Sequence, residues 1–220
     1  MAIMLSVLIP TVPPRYRLLN RLLFDLERQM DEADLVDEIE ILILGDNFER
    51  SIGDKRNELL EAANGKYVCF IDDDDTVHKE YCRKVVEALR GNDCDCVGYY
   101  KSDHTKIITA SCKSSKNIFE FLKMPVKATL AKQIQFPDWS MLEDGVWGRR
   151  LFHSGLLKSE HFIDEVMYLY SREPKLSLSQ SNYKKKGHIQ TNHEYPWCEQ
   201  PLKGYAVWIK GKPPCKLKMM

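Results

Sequence analysis

Tyr67-Val68-Cys69-Phe70-Ile71-Asp72-Asp73-Asp74-Asp75-Thr76 sends five apolar or aromatic residues straight into four consecutive aspartates. The apolar run, bounded by Gly65, predicts a fully buried strand, so the carboxylates emerge together at its carboxyl end. Ligands bind at that edge of an open α/β sheet. Four adjacent like charges repel unless solvent or a cation offsets them, and alternate residues of an extended chain project to one side. Asp72 and Asp74 are therefore candidates to share one divalent cation, with Mg²⁺ or Mn²⁺ the ions suited to such hard oxygen ligands. The plainer reading is an acidic turn capping the helix that follows.

Working outward, Met4 to Ile9 reads as a buried first strand ended by Pro10, with Thr11 to Pro14 a stiff loop behind it. Leu18, Leu22, Leu26 and Met30 then recur at helical spacing, with Leu19 and Leu23 widening the stripe. Ile39 to Leu44 predicts a second strand ending in Gly45-Asp46-Asn47. A helix beginning near Gly53-Asp54-Lys55-Arg56-Asn57 follows, with Asn64-Gly65 as its stop. Beyond the aspartates, Lys79 to Arg90 predicts a helix, and Cys96–Tyr100 with Lys106–Ala110 predicts a hairpin around Ser102-Asp103-His104. A short helix near Ile118 to Met124, a helical run after Glu143-Asp144 and a late strand at Val166 to Tyr170 complete the pattern. Alternating strands and helices argue for a mostly parallel sheet with right-handed crossovers. One domain is expected over residues 1–182, its first half (1–110) a nucleotide-fold candidate and its second half (111–182) less regular. Residues 183–220 are expected to form a basic extension packed on it.

The totals narrow the class. In 220 residues the 32 Lys and Arg balance the 32 Asp and Glu, which argues against a global electrostatic grip on nucleic acid. From Tyr183 onward, however, eight lysines face two acidic residues, a basic tail suited to peripheral contact with phosphates or a membrane surface. Seven scattered cysteines lack the spacing of a zinc site or a disulfide scaffold and read as reduced thiols. No stretch has the apolar length of a membrane span, and the expected location is cytoplasmic.

In order, Ser6-Val7-Leu8-Ile9-Pro10-Thr11, Asp46, Lys55-Arg56-Asn57, Phe70 to Asp75, Glu143-Asp144 with Gly148-Arg149-Arg150-Leu151, and Tyr170-Ser171-Arg172 resemble the motifs of one family. It is the family 2 group of GT-A-fold glycosyltransferases, which move a sugar from a nucleotide-diphospho-sugar with inversion. The resemblance runs from Ser6 to about Ser179. It implies a Rossmann-like, mostly parallel sheet flanked by helices, with Pro10, Thr11, Asp46, Arg56, Asp72, Asp73 and Arg149 on the donor. It further implies Mn²⁺ or Mg²⁺ on Asp74 with Asp72, and Asp144 as the base that deprotonates a glycan, lipid-linked or protein hydroxyl. UDP is favoured, from Asp46 at the base position.

Each feature has a duller counterpart. Arg56 reads equally as a partner of Asp46, a phosphate ligand or a solvated helix residue, and Glu143-Asp144 fits helix N-terminal acids. Trp139 and Trp147 suit an acceptor floor or core packing; His188 and His193 read as metal or phosphate ligands or ordinary loop residues. A haloacid-dehalogenase-type phosphatase with Asp72 as nucleophile and Asp74 as acid/base is the rival enzyme, although its motif belongs on a first strand. A nucleotide-sugar-binding module without turnover is the non-catalytic alternative.

Overall fold

The computed structural model describes residues 2–171 and a strand at 205–208. Its elements are β1 (Leu5–Thr11), α1 (Tyr16–Glu32), β2 (Ile39–Gly45), α2 (Ile52–Ala62), β3 (Tyr67–Phe70), β4 (Thr76–Val77), α3 (Tyr81–Gly91), β5 (Cys96–Ser102), β6 (Ile107–Ala110), β7 (Val126–Lys127), α4 (Ala128–Ala131), α5 (Glu143–Ser154), β8 (Glu160–Leu169) and β9 (Tyr205–Trp208). Turns of 3-10 helix span Pro13–Arg15 and Ser115–Leu122.

One sheet runs β4-β8-β5-β7-β3-β1-β2-β9, with β6 also on β5. β1 lies parallel between β2 and β3, and β5 is parallel to β8. β4, β6, β7 and β9 enter antiparallel. β7, from the second of the two expected halves (111–182), joins β3 to β5, so residues of both share a single sheet. Every residue of β1, β2 and β3 is buried, as near-continuous apolar runs in a sheet covered on both faces should be. α1 supplies one cover: Leu18, Leu19, Leu22, Leu26 and Met30 are all buried, and its exposed ring is Phe24 on the opposite face.

Two local expectations are corrected. Pro10 does not end the first strand, which continues to Thr11 in register with β2. Ile71 N donates to Leu8 O, so Leu8 and, two residues on, Pro10 face β3; β3 has already ended at Phe70, and no ladder donor is missed. Nor do Asn64 and Gly65 form a left-handed helix stop, since α2 ends at Ala62 and its cap Ala63 is extended. Gly65 is needed for close approach: a Cβ there would lie 2.6 Å from both Ser6 N and Ser6 Oγ. Asn64 donates instead to buried Glu40, which also accepts from Ser6 Oγ. The hairpin around Ser102-Asp103-His104 is present, with Ser102 paired to Ile107. The expected polar loop beyond Ser171, His188, His193 and nearly all of the basic tail lie outside the described residues.

Candidate active site

Five parallel strands, β1, β2, β3, β5 and β8, end on the same edge of the sheet, and the aspartates open from β3 at that edge. Behind them β1 and β2 are tied together by Lys55 of α2. Its ammonium, 1% exposed, donates to Asp46 Oδ1 at 2.7 Å and to Thr11 O at 3.1 Å. The backbone N–H of Arg50 donates to Asp46 Oδ2 at 2.7 Å. Burial pulls the Lys55 pKa down against the attraction of Asp46. Asp46 is thus partnered by Lys55, and the Arg56–Asp46 pair that the sequence left open is not realised.

The four aspartates diverge. Asp72 accepts from Arg56 Nη2 at 3.1 Å and from Lys123 Nζ, at the end of the second 3-10 turn. Asp73 accepts from Thr11 Oγ1 at 2.7 Å and meets Arg15 Nη2 at 2.9 Å. Asp74 also pairs with Arg15, through Oδ2, while its backbone carbonyl accepts from Arg21 at 2.9 Å. Asp75 accepts from the Tyr168 hydroxyl and, at 2.8 Å, from Ser171 N. Burial alone would push every one of these carboxyls up. In Asp72 Lys123 and Arg56 outweigh burial and hold the pKa below the usual carboxylate range. In Asp73 burial wins over Arg15 and Thr11 and lifts it to about 7. Lys123 loses to burial but regains more from Asp72 and Asp75, so its pKa rises.

Facing this cluster is the first turn of α5. Arg56, 4% exposed, reaches across from α2 with Nε on Glu143 Oε1 at 3.3 Å, its guanidinium carbon 5.0 Å over the Phe70 ring. One arginine therefore joins the strand-end carboxylate to the acidic start of α5, and the solvated reading of Arg56 is excluded. Burial raises the Glu143 pKa against the pull of Arg56. Asp144 is half-buried, and its Oδ1 accepts from Gly145 N at 2.7 Å. The approach to α5 is fixed on α2: Asn57 exchanges hydrogen bonds with Phe136 N and O at 2.8 and 3.0 Å, and Gly53 N donates to Trp139 O at 2.9 Å. Leu142, capping α5, adopts φ 63°, a left-handed conformation that costs a non-glycine residue on the order of 1–3 kcal/mol.

The structure thus gathers Pro10, Thr11, Asp46, Arg56, Asp72, Asp73 and Asp74 at one edge, with Asp144 beside them on α5. Arg149 is not brought in: it is exposed on α5, and among the described residues no hydrogen bond or ion pair joins it to the cluster. Trp147 is core, 2% exposed and stacked on Phe136 at 5.0 Å, so its acceptor-floor reading is corrected. Trp139 is 54% exposed. Arg15, Lys123 and Tyr168 are functional candidates that the sequence does not announce. Each comes from a segment remote from the aspartates, and the one clue is the uncompensated charge of the aspartate run.

The donor set has the hard oxygens a divalent ion takes and cations suited to an anionic ligand, but Asp72, Asp73 and Asp74 are engaged in ion pairs. Asp74 uses one oxygen on Arg15, and Asp72 and Asp74 are bound to different cations, so a shared ion requires Arg15 to yield Asp74. Arg15 Nε and Arg56 Nη1 are buried donors with no hydrogen-bond acceptor. Orphaned buried N–H groups are costly, and here both belong to cations beside the strand ends, where phosphate oxygens would satisfy them.

Comparison with solved structures places this architecture. S. aureus TarS 1-349 in complex with UDP-GlcNAc matches with TM-score 0.65 at 18% identity, covering 78% of this chain and 59% of that one. Drosophila beta1,4galactosyltransferase 7, complexed with xylobiose, matches with TM-score 0.55 at 14% identity over 87% of this chain and 76% of that one. Glucosyl-3-phosphoglycerate synthase from Mycobacterium tuberculosis, in complex with Mn²⁺, UDP and phosphoglyceric acid, gives TM-score 0.52 at 13% identity over 78% and 72%. This chain spans about three fifths of the TarS 1-349 chain. No curated protein matches. The fold is the GT-A fold, and the Glycosyl transferase family 2 model matches residues 31–150, more than half of the sequence. The chain belongs to glycosyl transferase family 2.

Proposed function

We propose that the protein is a metal-dependent inverting glycosyltransferase that moves a sugar from a nucleotide-diphospho-sugar, UDP favoured, to a hydroxyl acceptor. The observation that carries this reading is the pair of unsatisfied buried guanidinium donors, Arg15 Nε and Arg56 Nη1, set among carboxylates at a strand-end edge. Cationic donors without acceptors ask for a polyanion, and the carboxylates ask for the cation that would accompany it.

Asp74, with Asp72, would hold Mn²⁺ or Mg²⁺, which supplies Lewis-acid stabilisation of the departing diphosphate. Arg56 and Arg15 would hold phosphate oxygens. Pro10, Thr11 and Asp46 would frame the base, each Asp46 oxygen keeping a lone pair beyond the bonds from Lys55 and Arg50. Asp73 would steady Thr11 and Arg15 from behind. Asp144 is the base: it stands on a different element from the aspartate run, as a displacement from the sugar face opposite the leaving group requires. Glu143, committed to Arg56, is the poorer candidate. Trp139 offers an exposed aromatic face for an acceptor sugar. UDP accompanies the TarS and mycobacterial synthase structures, which makes it the first nucleotide to try.

Incubation of UDP-sugars with the protein and Mn²⁺, without acceptor, tests the reading. Slow release of UDP that is lost in Asp74→Ala is expected. A donor pool left intact would turn the case towards the non-catalytic module. Hydrolysis of a chromogenic phosphate ester dependent on Asp72 would restore the phosphatase, which the position of the aspartates on β3, with Asp72 clamped by two cations, disfavours.

A further inference from the structure

At the opposite edge of the sheet a second polar cluster has no part in the chemistry above. Cys96 begins β5, Glu160 begins the parallel strand β8 directly opposite it, and Cys112 follows the end of antiparallel β6. One ligand atom from each of the three lies within 4.8 Å of the others. We propose that Cys96, Cys112 and Glu160 bind a zinc ion that staples β5, β6 and β8 together.

The geometry is near what zinc needs. With Zn–S bonds of about 2.3 Å and Zn–O bonds of about 2.0–2.2 Å, tetrahedral neighbours stand roughly 3.5–3.8 Å apart, so ligand atoms that lie within 4.8 Å of one another would draw in by up to about 1 Å on binding. Two thiolates and a carboxylate are a zinc donor set, and soft sulfur ligands select against Mg²⁺. Water would take the fourth position.

The carboxylate is also prepared for the task. The Glu160 side chain is 2% exposed, and its oxygens accept from Ser111 Oγ at 2.9 Å and Cys112 N at 2.6 Å, bonds of the kind that orient a metal-ligating carboxylate. Its cationic neighbour is Lys113 at 3.9 Å, a side chain 72% exposed and a weak counter-charge. Room for the group comes from Gly98, where an added Cβ would lie 3.1 Å from Glu160 Cδ.

The test uses the full chain stripped of metal and titrated with Co²⁺ as a coloured stand-in for zinc. A near-ultraviolet thiolate-to-cobalt band saturating at one equivalent and bleached by Zn²⁺ is expected. The aspartate cluster has no thiolate and cannot produce it, so Asp74→Ala should keep the band. Cys112→Ala, a change in a half-exposed loop whose folding is checked by circular dichroism, should abolish it, and Glu160→Gln should weaken zinc binding at least about tenfold. Absence of the band, its survival in Cys112→Ala, or a Cys96–Cys112 disulfide in the freshly purified protein would overturn the proposal.

Discussion

Arg56 is the residue through which the two halves of the candidate site feel each other. It has carboxylates on either side, Asp72 from the strand end and Glu143 from the helix start, and aromatic carbon beneath. Arg56→Ala would leave buried Glu143 without its cation and Asp72 with Lys123 alone, and urea unfolding should show a loss of about 3 kcal/mol, the low end for breaking a buried ion pair because Asp72 keeps its second partner and 27% of its side chain exposed. Asp144 has the opposite character: half-buried, with a single short bond to Gly145 N, it contributes little to stability. Asp144→Asn should leave nucleotide binding and the unfolding midpoint in place while transfer falls about 10²–10⁴-fold, the range for loss of a general base. Transfer at the normal rate would remove Asp144 from that role. The aspartates, Asp46 and Glu143-Asp144 are legible in the sequence because each stands at the end of an apolar or periodic run. Lys55, one residue from Arg56, is legible only as part of a motif, since nothing in one sequence says that a lysine will be 1% exposed.

At the scale of elements, the helices and the parallel strands follow from periodicity, and their ends follow from contacts that periodicity does not contain. The Leu18–Met30 stripe and the β1 to β3 runs describe surfaces that are buried as read. Gly65 resembles a helix stop because glycine commonly serves there; its reason is instead the backbone of β1, 2.6 Å from where a Cβ would be. Gly65→Ala should therefore destabilise by about 1–3 kcal/mol, as overpacking does, with the loss visible in thermal melting. A neutral result would mean that β1 and the turn before β3 can part cheaply. Pro10 misleads for a related reason: a proline breaks a ladder only where a neighbouring strand is present, and strand length is a tertiary fact. Likewise α5 is aimed by hydrogen bonds from α2 to the segment 136–139, pairs about 80 residues apart in sequence.

For the whole molecule, a sheet whose parallel strands all open on one edge collects charge from segments distant in sequence, and that edge carries the aspartates and the side chains of Arg15, Arg21, Arg56, Lys55 and Lys123. The fold and the acidic half of the site can be read from a single sequence. Of the cations that answer the acids only Arg56 can, because Arg15 lies in a 3-10 turn and Lys123 caps another, neither with a pattern of its own. Among the described residues no helix is long and apolar enough to cross a membrane. The most direct measurement is calorimetric titration of UDP into the purified protein, once with Mn²⁺ and once with EDTA. Binding with Mn²⁺ that is lost in EDTA is predicted, because the aspartate run should hold the nucleotide through a metal. Equal binding in both, or binding in neither while GDP, dTDP and CMP also fail, would contradict a metal-dependent nucleotide-sugar site at this edge.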